Sequence, residues 1–296
     1  MKKSTRTKVI DILLLCMIIL PFLFCITLKV LTKPASADIS ITGAQVYFTI
    51  PMPVMDLPIT ESQVTSLMVM IAMLGLCLYL THGIAVVPNS KRQLVAEFVV
   101  EKAQHLVDDN MGKRFSAFAP FVAAIMALSA FSSLSSLLGL FPPTSDMNIV
   151  AGWAILVFVL ITHYKLKGGL FSYVKGFFEP VFIFAPFNII GEIATPVSMS
   201  FRHYGNVLSG VVISTLVAYA LQSLSHMLLG WLPGVLGQFP LLQIGLPAIL
   251  SLYFDIFSGL MQAFIFAMLT MLYIATGFPE EDYERRKAKR KALHAA

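Results

Sequence analysis

The chain has 296 residues, 57% of them hydrophobic and 12% charged, with a mean hydropathy of +0.80. Against the roughly 25% charged residues of soluble domains, that balance excludes a soluble protein and marks a polytopic membrane protein. The formal charge of +5 bears on topology rather than on nucleic acid, and the 3 cysteines lie in apolar runs without disulfide or metal spacing.

Apolar runs fall near residues 9–31, 64–87, 116–141, 148–164, 181–221 and 244–277. Most are close to the roughly 20 residues that cross a hydrocarbon core of about 30 Å. Lys2, Lys3, Arg6 and Lys8 precede the first run, and Ala35-Ser36-Ala37 follows it like a signal-peptidase site. Its apolar core is longer than a usual signal peptide, which favours a retained helix; cleavage after Ala37 is the alternative. Residues 32–62 carry Pro51, Pro53 and Pro58 and read as a loop lying over the membrane. Residues 90–112 read as an amphipathic surface helix with Ser90 as its N-cap, serving either as an interfacial connection or as a dock for a partner subunit.

Lys91, Arg92, Lys102, Lys113 and Arg114 lie between the second and third runs; Lys165, Lys167 and Lys175 follow the fourth. Arg285, Arg286, Lys287, Lys289, Arg290 and Lys291 follow the last, leaving Lys29 and Lys33 opposite and Arg202 within the membrane. The positive-inside rule then predicts six passes with both termini in the cytoplasm. The last two runs exceed a simple crossing, since about 40 helical residues extend on the order of 60 Å. Either helix must tilt strongly or break, and Pro186 and Pro196 could bend the first. The expected fold is an all-α membrane protein of about six helices, the last two long, strongly tilted and paired as a hairpin.

Arg202 is the residue that asks for a function. A guanidinium at bilayer depth costs at least about 2.5–3.5 kcal/mol and cannot shed its proton. Helical spacing puts Ser198, Gly205 and Ser209 on its face, with Thr195 and Asn206 beside it. Such small residues also make an ordinary interhelical seam. In the last run Ser251, Asp255, Gly259 and Gln262 recur at three- or four-residue intervals, a stripe suited to a hydrated path for protons or a small cation. A protonated Asp255 bonded to a neighbouring helix is the structural alternative. Glu192, about 15 Å along the helix from Arg202, cannot pair with it and falls nearer the cytoplasmic end, where it lines a path opening or braces the interface. His203 points away from Arg202 and reads as a packed neutral histidine.

With these residues in view, the chain resembles subunit a of the bacterial F-type ATP synthase. The resemblance rests on Pro196-Val197-Ser198, on Arg202-x-x-Gly205-Asn206, on Gln262-Ala263-Phe264-Ile265-Phe266, and on Leu138-Gly139-Leu140-Phe141-Pro142 followed by Asp146-Met147-Asn148. It covers most of residues 60–278 and divides the chain into an N-terminal helix and outer loop (1–60), an ion-translocating domain (61–278) and a basic cytoplasmic tail (279–296). The resemblance implies a stator subunit of the bacterial cell membrane, facing a ring of c subunits and meeting the b subunits of the peripheral stalk and the remaining ATP synthase subunits. Two offset half-channels would carry protons or Na+ to and from the ring's carboxylates. Arg202 would block leakage between them, Asn206, Gln262, Asp255 and Glu192 would serve the path, and Ser198, Gly205 and Ser209 would face the rotor. Val211 stands where the family commonly has an acid or histidine, so the outer path would rely on Asp255 or on polar groups elsewhere. No cofactor and no catalytic residue is expected, nucleotide chemistry belonging to other subunits. The rival is an ion-coupled secondary transporter, but the internal repeats and paired broken helices of such folds are not seen in the sequence.

Overall fold

A computed structural model describes residues 5–32, 43–53, 56–87, 90–178, 181–231, 241–243 and 245–295. The Ala35-Ser36-Ala37 site, Lys2, Lys3 and Lys33 lie outside the described residues, as do the side chains of Arg6, Lys289, Arg290 and Lys291. Ten α-helices and one hairpin occur in chain order among the described residues: α1 (Thr5–Thr32), β1 (Val46–Ile50), β2 (Leu57–Thr60), α2 (Glu61–Thr81), α3 (Lys91–Met111), α4 (Ala119–Leu134), α5 (Met147–Leu166), α6 (Leu170–Phe177), α7 (Ala185–Leu229), α8 (Leu246–Ser251), α9 (Gly259–Gly277) and α10 (Glu280–Ala295). Among the described residues six helical stretches are long and apolar enough to cross a membrane: Thr7–Thr32, Glu61–Thr81, Lys113–Leu138, Met147–Leu166, Phe182–Leu229 and Ile249–Gly277. Exposed leucine, isoleucine and phenylalanine along them suit a lipid solvent.

The segment expected to be a plain loop contains an antiparallel hairpin, Val46 opposite Thr60 and Ile50 opposite Leu57, with an irregularity after Val46. Pro58 is tolerated because both strands of a two-stranded ribbon are edges. The hairpin runs directly into α2, whose start is fixed when Thr60 N donates to Gln63 Oε1 at 3.2 Å and Glu61 N to Gln45 O at 2.8 Å. Ser90 does cap α3: its hydroxyl accepts from Gln93 N at 3.3 Å. Pro196 neither ends nor breaks α7, which runs 45 residues through it.

The chain divides into two compact units. The first comprises Met1–Val99, Met126–Asp146 and Tyr204–Ala263. Within it α1 lies along α2, with Gly75 admitting Met17 so closely that a β-carbon there would stand 3.1 Å from Met17 Cγ. Ion pairs tie both ends of α1. Arg92 meets Asp11 at 2.8 Å and lies over the Tyr79 ring, and Lys29 meets Glu61 at 2.8 Å. Glu61 Oε1 also accepts from Phe141 N at 3.0 Å, while Lys29 donates to Gly139 O at 2.8 Å. The turn after α4 can close there because Gly139 takes the left-handed φ of 71°. Ser62 donates to Asp146, so one cluster binds α1, α2 and the segment before α5.

The second unit comprises Val100–Ile125, Met147–His203 and Phe264–Ala296. The buried side of α5 repeats at helical spacing through Val150, Ala154, Val157 and Ile161, and that of α9 through Phe266, Ala267, Met271 and Ile274. At one end Phe115 packs against Tyr164 and Phe278, and Arg114 pairs with Glu280 at 3.1 Å and Glu284 at 2.8 Å.

Candidate functional site

Helix α7 carries the sequence-predicted residues on one continuous rod. Ser198, Arg202, Asn206 and Ser209 are exposed and Gly205 is half-buried. Nothing lies within 4 Å of where a β-carbon on Gly205 would be. Five residues on, a β-carbon on Gly210 would stand 3.0 Å from the Phe254 ring. The helix therefore has a packed side within the first unit and an open side that bears the small polar residues. Among the described residues the Arg202 guanidinium makes no hydrogen bond or ion pair. Its neighbour His203 is fully buried, edge-on to the rings of Trp153 at 6.0 Å and Phe266 at 5.4 Å, as expected of a packed histidine.

In the first unit Asn206 Nδ2 donates to Ser258 Oγ at 3.0 Å and, at the limit of a hydrogen bond, to Gln262 Oε1 at 3.5 Å. Gln262 is buried and comes from α9. The structure thus brings together the two amides, predicted from separate helices, and adds Ser258, which the sequence pattern does not single out. Its signal is visible only afterwards, as a hydroxyl four residues before Gln262.

Residues Leu252–Ser258, Asp255 among them, form a π-helix between α8 and α9, with backbone hydrogen bonds that span five residues rather than four. Gly259 is buried against Ser133, whose β-carbon would be 2.7 Å from one added there. Asp255 is half-buried and accepts a hydrogen bond from Ser251 Oγ.

Glu192 belongs to a second cluster, wholly within the second unit. Its Oε2 is 2.6 Å from Lys165 Nζ, and Tyr173 donates to Oε1 at 3.4 Å. Burial, reinforced by the Glu192 carboxylate, pushes the Tyr173 hydroxyl above its ordinary pKa. The Lys165 stem crosses Gly277, where a β-carbon would be 2.8 Å from Lys165 Cε. A cavity of about 560 Å³ is lined by Lys165, Tyr173, Asn188, Glu192 and Thr195. One of about 220 Å³ shares Lys165, Glu192 and Thr195 and adds Tyr273 and Thr276. The ion pair lies in the walls of both. In the sequence Lys165 is visible only as a topology charge; its role here depends on a partner 27 residues away on another helix.

The sequence model of the ATP synthase A chain matches residues 63–275, from the first turn of α2 to the last of α9. The chain belongs to the ATP synthase A chain family. Among relatives, it is 33% identical over 225 residues to ATP synthase subunit a of Acidothermus cellulolyticus, covering 73% of this chain and 75% of that one. It is 28% identical over 221 residues to subunit a of Moorella thermoacetica, covering 74% and 91%. A shorter match, 36% over 142 residues, is to the sodium ion specific subunit a of Propionigenium modestum, and covers 48% of this chain and 42% of that one. The chain thus spans less than half the length of that relative. As an ATP synthase A chain, the protein is a multi-pass membrane subunit of the ATP synthase complex. Both polar clusters lie inside the family match, whereas α1, the hairpin and α10 lie outside it.

Proposed function

We propose that this chain is the ion-conducting stator of a rotary ATP synthase in the bacterial cell membrane, with both termini cytoplasmic and α7 paired with the last span, tilted against a ring of c subunits. The observation that carries this reading is Arg202 on the open, small-residue side of α7, with no ionic mate among the described residues. A passing rotor carboxylate would supply the missing anion. At about 4 Å and an effective dielectric near 20 the attraction is about 4 kcal/mol, enough to favour the deprotonated carboxylate strongly. A driving force of about 2.3 kcal/mol per charge per 100 mV, together with the next arriving carboxylate, can still break the contact. The same fixed charge repels cations attempting to pass directly between two half-channels. The cavities beside Glu192 suit the cytoplasmic half-channel, with Lys165 and Tyr173 holding its carboxylate. Asn206, Gln262 and Asp255 serve the path nearer the rotor and the outer side, and the b subunits brace the stator.

The test is ATP-driven ion uptake by inverted vesicles carrying Arg202→Ala, with and without sodium. Coupled uptake is expected to fall to background, and unchanged uptake overturns the proposal. In the unmodified enzyme, uptake that requires sodium assigns Na+ as the coupled ion; indifference to sodium assigns protons. Asp255→Asn is expected to slow passive flow through the stripped membrane sector, whereas normal flow returns Asp255 to a packing role.

A further inference from the structure

Helix α6 starts four residues after the end of the α5 span, and α10 starts three residues after the end of the last span. Both belong to the second unit and are fastened at the same end of it. Asp282 accepts from Ser172 of α6, and the Arg286 guanidinium lies close enough to Gly169 that a β-carbon there would meet its Cζ at 2.6 Å. With Glu280 and Glu284 paired to Arg114, most of the acidic first turns of α10 are engaged within the chain. The later turns of α10 carry a run of cations without an acidic residue among them: Arg285, Arg286, Lys287, Lys289, Arg290 and Lys291. The first three are exposed.

Beside this run α6 turns an apolar face outward. Leu170, Phe171, Val174 and Phe178 share one side of the helix, and Phe171 is 84% exposed. The opposite side bears Ser172, which meets α10, and Tyr173, which meets Glu192. A short helix with an exposed apolar face, held at the end of membrane spans and next to a polybasic segment, has the composition of an interfacial lipid-binding element. An acidic protein surface would match the cations but not the phenylalanine and leucine beside them.

We propose that α6 and the basic part of α10 form a binding shelf for anionic phospholipid, the α6 apolar face entering the acyl boundary and the α10 cations holding the phosphate headgroups. This surface does not depend on the half-channel reading. It lies outside the Arg202 face and would serve the enzyme with either coupled ion.

The test reconstitutes the assembled ATP synthase into vesicles containing photoactivatable phosphatidylglycerol or phosphatidylcholine and maps the labelled peptides. Phosphatidylglycerol is expected to label residues 169–178 and 280–291 about fivefold more than phosphatidylcholine at low salt, the ratio that about 1 kcal/mol from one cation near the surface yields. High salt, or replacing the six basic residues by Gln, should bring the ratio to parity. Exchanging Arg for Lys and Lys for Arg should preserve it, and Phe171→Ser should lower labelling by both lipids. Equal labelling in the native enzyme, or a preference that survives neutralisation, overturns the shelf. So does a crosslink from α10 to another subunit in place of lipid. Should the Gln variant not assemble, the salt dependence of the native enzyme decides.

Discussion

Two cations in apolar surroundings, Lys29 and Arg202, are treated in opposite ways. Lys29 reaches a carboxylate that is 4% exposed, and that carboxylate also accepts a backbone N–H from Phe141. Arg202 sits on an open helix face without an ionic mate among the described residues. The first arrangement holds α1 to α2 and to the turn at Gly139. The second leaves a charge available to something outside the chain. A charge that braces a fold is paired inside it, because breaking a buried pair leaves an uncompensated ion. On the proposed reading Arg202 must meet successive partners, and a mate inside the chain would compete with them.

The sharpest way to break that comparison is to show that the Lys29–Glu61 pair is dispensable for folding. Lys29→Met is expected to destabilise the detergent-solubilised protein by about 3 kcal/mol, near the low end for a buried pair because Lys29 is itself 37% exposed. Adding Glu61→Gln should recover part of the loss in thermal unfolding, and no loss in the single variant would deny the pair its structural role. Next in size are Gly210 and Gly205 of α7. Gly210→Leu drives a side chain into Phe254 and should cost about 1–3 kcal/mol. Gly205→Leu meets open space and should change stability by less than about 0.5 kcal/mol while lowering coupled transport in vesicles. If Gly205→Leu destabilises as much as Gly210→Leu, or if transport is untouched, the open side of α7 is not a working surface.

The six spans and the odd position of Arg202 were legible in the sequence, because both follow from local transfer free energy. Legibility failed where the backbone departs from its commonest geometry. An α-helical count of the last run gives no sign of the π-helix at Leu252–Ser258, nor of Ser133 lying against Gly259. The hairpin at Val46–Thr60 was hidden by Pro51, Pro53 and Pro58, which read as a loop when the pairing of Val46 with Thr60 is unknown. The candidate site divides in the same way. Spacing on one helix groups Arg202, Ser198, Gly205 and Ser209, whereas Ser258 beside Asn206 and Lys165 beside Glu192 come from other helices and leave no periodic trace.

By itself the sequence determined that this chain spans a membrane, where it crosses, and which helix bears the expensive guanidinium, since each depends on hydrophobicity summed along one segment. Only the tertiary structure decided which charges are satisfied. Lys29 finds Glu61, Arg92 finds Asp11 and Lys165 finds Glu192 across separations that no helical period encodes. Ion pairing requires two side chains to arrive within about 4 Å, and that depends on how helices pack, not on how any one of them is written.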